Sequence, residues 1–93
     1  MDNAEVIGIV AAILTTGSFL PQAAKVLKSR DTGAISLAMY SMFACGVSLW
    51  LFFGILTLQW SIIVANAVTL VLAGLILTMK VRAVLAARTS RII

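Results

Sequence analysis

A chain of 93 residues, 62% apolar and 11% charged, carries more hydrophobic surface than one small soluble core can hide. Its net charge of +4 does not describe a nucleic-acid binder, because the seven Lys and Arg residues are confined to two short segments and leave no basic-aromatic surface. The charge-free stretches are the stronger signal: Val6 to Ala24 and Thr32 to Met79 hold no Asp, Glu, Lys, Arg or His. A membrane helix needs roughly 20 apolar residues, so the first stretch supplies one span and the second supplies two and a turn.

The first predicted helix covers about 5–27. It contains Pro21, which cannot donate to the Gly17 carbonyl and crowds it, so a kink or a break in the ladder is expected. In lipid that carbonyl needs another donor, and Gln22 or the Ser18 hydroxyl is close enough in sequence to serve. The plainer reading is that proline is simply commoner in membrane helices than in soluble ones. The segment Ser29-Arg30-Asp31-Thr32-Gly33 has turn chemistry. A second helix follows over about 35–56, then an uncharged turn, Thr57 to Ser61, with Trp60 at interfacial depth. The third helix covers about 61–84, and the basic tail 85–93 is expected to fray toward its end. There is no internal repeat, and the whole chain reads as one domain.

Lys25, Lys28 and Arg30 follow the first span, and Lys80, Arg82, Arg88 and Arg91 follow the third. Both segments must lie on one side of the membrane, and the positive-inside rule makes that side the cytoplasm, with the N-terminus outside. The opening Met1-Asp2-Asn3-Ala4-Glu5 lacks the positive start of a signal peptide, so the first span is expected to be permanent. Cys45, the single cysteine, sits at mid-membrane, where it can make neither an intrachain disulfide nor a metal cluster and suits small-residue packing.

Two large polar side chains fall inside the spans, Trp50 on the second helix and Asn66 on the third. Each lies four residues, ~6 Å, outward of its helix centre, so both should occupy one level. An indole offers a flat face for the C–H surface of a pyranose and an N–H at its edge; a carboxamide both donates and accepts. Together they suit a neutral polyol. The alternatives are an Asn that glues helices together and a Trp that faces lipid. Met39, Phe43, Gly46, Trp50 and Phe53 share one face of the second helix, with bulk at both ends and glycine near the middle. That face either lines a lumen or packs against another helix, and periodicity does not separate the two. The spans lack the ionisable residues of a proton relay, of general acid/base catalysis and of a metal site, so neither an enzyme nor a cofactor is expected.

The stretches Leu14-Thr15-Thr16-Gly17-Ser18-Phe19-Leu20-Pro21-Gln22, Ile35-Ser36-Leu37-Ala38-Met39-Tyr40 and Ala65-Asn66-Ala67-Val68-Thr69-Leu70 resemble the SemiSWEETs of the PQ-loop superfamily, from Ile7 to about Lys80. The resemblance implies an all-α, three-helix bundle, half of a SWEET transporter, which assembles as a parallel homodimer. It also implies bidirectional, uncoupled transport of a glucose- or sucrose-like sugar across a bacterial inner membrane by alternating access. By this likeness Trp50 and Asn66 of both protomers bind the sugar, Pro21 with Gln22 forms a hinge, and Phe19, Met39 and Phe43 narrow the cytoplasmic side. The family's outer gate, an aromatic hydroxyl with an Arg and an Asp, is represented here by Phe53, Thr57 and Gln59, so an ion-paired closure is not expected. Two other readings stay open: a PQ-loop carrier of another small metabolite, and a non-transporting subunit or anchor for a larger membrane partner.

Overall fold

The computed structural model describes residues 2–92 and contains three helices: α1 (Asn3–Ser29), α2 (Leu37–Thr57) and α3 (Trp60–Ile92). All three are long and apolar enough to cross a membrane. Local chemistry sets their ends. The Asp2 carboxylate accepts from the Glu5 N–H at 2.7 Å to cap α1, and the Ser36 hydroxyl accepts from the Met39 N–H at 3.3 Å to cap α2. Both helices stop at a residue in the left-handed region, Arg30 (φ 58°) and Leu58 (φ 52°), whose N–H groups turn back onto the last carbonyls. Neither stop is a glycine, although the left-handed region favours one.

The chain order is not the spatial order. α3 packs against both α1 and α2, whereas the backbones of α1 and α2 stay apart, so the third helix lies between the first two. The result is a slab of 60 × 25 × 15 Å, hardly thicker than one layer of helices. Small side chains permit the close packing: Ala23 of α1 and Ala73 of α3 are fully buried, with Ile76 beside them. On the other flank Val47 and Gly54 of α2 are buried. A Cβ on Gly54 would stand 2.8 Å from Ile62 Cγ2 and 3.2 Å from the Ile63 backbone nitrogen, so glycine is what lets α2 approach α3.

The 30–36 connection is folded down. Asp31 Oδ1 accepts from the Gly33 N–H at 3.0 Å, and the Thr32 carbonyl accepts from the Ile35 N–H at 3.0 Å. The Lys80 ammonium donates to the same Thr32 carbonyl at 3.0 Å, tying the loop to α3, and Thr32 is only 5% exposed.

Three expectations change. Helix α3 continues to Ile92, so the described part of the basic tail is helical rather than frayed; Ile93 lies outside the described residues. Helix α1 runs unbroken through Pro21, and the Ser18 hydroxyl donates to the Thr15 carbonyl at 2.8 Å instead of relieving Gly17. The i−3 carbonyl is the acceptor a helical serine reaches on its own turn. Cys45 is exposed on α2 and takes no part in the packed interface.

Candidate functional site

With α1 and α2 held apart by α3, the slab encloses a groove of about 440 Å³, open on one side and lined by all three helices. Trp50 comes from α2 and Asn66 from α3, so the two residues matched by depth do share one cavity. Phe19 and Gln22 of α1 and Phe43 of α2 line it too.

Aromatic pairs mark both ends. Toward the basic end, Phe19 and Phe43 meet across the gap between α1 and α2 with ring centroids 6.0 Å apart, and Tyr40 backs Phe43 at 5.7 Å. At the other end Phe53 meets Trp50 edge-on, at 5.6 Å and 88°, the geometry that an aromatic quadrupole favours. Phe53 thus orients the indole from outside the cavity lining.

The polar wall extends beyond Asn66 and Gln22. Thr15, Thr16 and Ser18 of α1 and Thr69 of α3 join Gln22 and Asn66 around the groove. The sequence carries a signal for two of them: Thr15 and Ser18 recur with Gln22 at offsets of three and seven, which puts the three on one face of α1. Thr15 donates to the Ala11 carbonyl at 3.0 Å, Ser18 to Thr15 and Thr69 to the Ala65 carbonyl at 2.8 Å. With their protons committed to their own helices, these hydroxyls offer lone pairs to a ligand. Asn66 Nδ2 donates to the Ile62 carbonyl at 2.8 Å, which leaves a second N–H and Oδ1 for a partner. The wall therefore combines neutral acceptors, the amide and indole donors and a flat aromatic face. It holds no formal charge.

The remaining expected residues lie elsewhere. Met39 is 71% exposed and is not part of the cavity wall, being one turn nearer the start of α2 than Phe43. Pro21 is exposed beside Gln22. Thr57 gives its hydroxyl proton to the Phe53 carbonyl at 2.8 Å, and the Gln59 carbonyl accepts from the Ile63 N–H at the start of α3. Both are engaged in shaping the turn between α2 and α3. The face that carries Met39, Phe43, Trp50 and Phe53 stays largely exposed in the single chain, Trp50 to 57%, so apart from the Phe19–Phe43 contact it is not a packing surface within the protomer. Gly46, on the same face, has open space where a Cβ would stand. Among the described residues no group of His, Cys, Asp or Glu is placed to hold a metal ion.

Comparison with known proteins bears on the fold and the family. The model of the PQ loop repeat family matches residues 4–63. The sugar transporter SemiSWEET of Leptospira biflexa is 50% identical over 80 residues, covering 86% of this chain and 92% of that protein. The SemiSWEET of Bradyrhizobium diazoefficiens is 46% identical over 78 residues, covering 84% and 91% respectively. Among solved structures, a SemiSWEET in the inward-open conformation superposes with a TM-score of 0.82 at 38% identity, covering 88% of this chain and 95% of that one. A bacterial homologue of SWEET transporters gives 0.74 at 41% identity, covering 87% and 98%. These relatives are transporters and not enzymes, and three apolar helices with such relatives make this a multi-pass membrane protein. The chain belongs to the PQ-loop family, among the SemiSWEETs.

Proposed function

We propose that the protein is a sugar uniporter that works as a parallel homodimer in a bacterial inner membrane, its basic ends in the cytoplasm. The observation that carries this reading is the uncharged groove in which Trp50, Asn66, Gln22 and the hydroxyls of Thr15, Ser18 and Thr69 converge, open along one side of a one-layer slab. A second copy facing that side closes the groove and duplicates the wall, so that two indoles and two carboxamides surround one neutral polyol. Relatives named as sugar transporters, at 46–50% identity, support the substrate class.

Alternating access then needs a closure on each side of Trp50 and Asn66. The Phe19–Phe43 contact, with Met39 beyond it, closes the cytoplasmic side when the two copies lean together there. On the outside, closure rests on Phe53 packing and on neutral contacts of Thr57 and Gln59. Pro21, which leaves the Gly17 carbonyl without its ladder partner, lets α1 flex beside Gln22 between these two arrangements. Transport is bidirectional and uncoupled, because the span residues offer no carboxylate or imidazole to carry a proton.

Uptake and efflux of labelled glucose and sucrose in proteoliposomes test the proposal. Saturable flux of at least one sugar in both directions, unchanged when a proton gradient is imposed or collapsed, is the expected result. Background flux for every sugar, or an absolute need for the gradient, would overturn it.

A further inference from the structure

A second concavity of about 450 Å³ lies near the basic end, formed by Leu27 and Arg30 of α1 with Leu75, Thr78, Met79 and Arg82 of α3. It is not a continuation of the groove. At 100° per residue, its α3 residues point about 135° away from Ala65, Asn66 and Thr69, toward the side of the slab opposite the proposed dimer axis.

The lining is graded along the membrane normal. Leu27, Leu75 and Met79 form an apolar floor at span depth. Arg82 stands seven residues beyond Leu75, about 10 Å along α3, where the charges begin. Arg30 enters from the other wall. Its backbone is held in the left-handed region and bonds the Val26 carbonyl at 2.8 Å, so the root of this side chain is fixed at the end of α1 instead of swinging in a loose loop. Two guanidinium groups thus flank the mouth of a greasy cleft. A guanidinium presents a planar fork of donors that matches phosphate oxygens, and a cation pair at the membrane surface favours anionic lipid. Charge around the site agrees: all seven Lys and Arg residues belong to this end of the molecule, against the single carboxylate of Asp31, while Asp2 and Glu5 lie at the far end of α1.

We infer that this cleft binds one anionic phospholipid of the leaflet at the basic end, with the phosphate between Arg30 and Arg82 and an acyl chain along Leu27, Leu75 and Met79. A soluble anion would use the arginines and leave the floor idle; a phospholipid uses both. The lipid would brace the ends of α1 and α3 against each other on the face away from the sugar groove, and the inference does not depend on which substrate is carried.

Native mass spectrometry of the full-length protein in a neutral detergent tests it, with phosphatidylglycerol and phosphatidylcholine offered in equal amounts. The wild-type chain is expected to retain phosphatidylglycerol selectively. Replacing both arginines (R30Q with R82Q) should lower that retention roughly thirtyfold, and R82Q alone, on an exposed turn of α3 where folding is not at risk, roughly fivefold. K25Q with K28Q removes the same charge from α1 outside the cleft and should change it little. Circular dichroism checks that each variant keeps its helices. Equal loss in the K25Q/K28Q protein would mean diffuse attraction and overturn the site, as would undiminished retention in R82Q. Displacement of the lipid by excess inorganic phosphate would show a free-anion site and overturn the assignment to a lipid.

Discussion

Asn66 is tied down through one edge of its carboxamide only. One N–H is spent on the Ile62 carbonyl at 2.8 Å, and the rest of the group faces the groove, so the residue is held by its own helix and not by a neighbouring one. Replacement by Ala should therefore abolish sugar flux and leave helix packing and the oligomer intact, as measured by proteoliposome uptake beside size-exclusion chromatography. Loss of the oligomer would instead identify Asn66 as glue between subunits. Gly54 plays the opposite part, structural and outside the groove lining. A methyl group there would collide with Ile62 Cγ2, and overpacking of this kind costs about 1–3 kcal/mol. The G54A protein should unfold at lower temperature in detergent, and adding I62A, which removes the colliding carbon, should restore part of the loss. Strict additivity of the two substitutions would show that the contact does not govern the packing.

At the level of elements, the Lys80–Thr32 bond joins the α1–α2 connection to α3 two-thirds of the way along that helix. A hydrogen bond to a charged donor contributes roughly 1.5–3 kcal/mol, and the buried Thr32 carbonyl would lose that partner in K80M. Amide exchange across Gly33 to Ile35 should then accelerate while α2 stays protected; unchanged exchange would mean that the turn holds itself through Asp31 and the Thr32–Ile35 bond alone. Most element boundaries were legible from sequence because their causes are local: a carboxylate or hydroxyl before a helix, a polar turn, a charge-free run of sufficient length. The miss came at the C-terminus. Arg88 to Ile92 has no apolar face of its own that marks it as ordered, yet it continues a helix already nucleated by a long membrane span, and extending such a helix is far easier than starting one.

For the whole molecule, the thickness of 15 Å means that a single copy can flank a pathway but cannot surround it. With no histidine and no carboxylate between Val6 and Ala24 or between Thr32 and Met79, the spans lack the side chains that proton-coupled carriers use near neutrality. Initial rates of sugar uptake, measured with equal pH on both sides of the vesicle, should be flat between about pH 5 and 8. A steep rise or fall through neutrality would point to a proton-coupled step and count against uniport.

The amino-acid sequence by itself determined that there are three spans, where they turn and which end carries the cations, because hydropathy, capping and charge placement act over a few residues at a time. It did not determine that α3 lies between α1 and α2, that Thr15, Ser18 and Thr69 complete the wall, or that Arg30 and Arg82 line one cleft. Those follow from which helix faces fit closely. Ala23 and Ala73 are the fully buried alanines of a chain that holds many, and nothing in their immediate neighbours distinguishes them. Only when α1 and α2 are packed on opposite flanks of α3 does the space between them become a groove, and only then do residues far apart in the chain share a site.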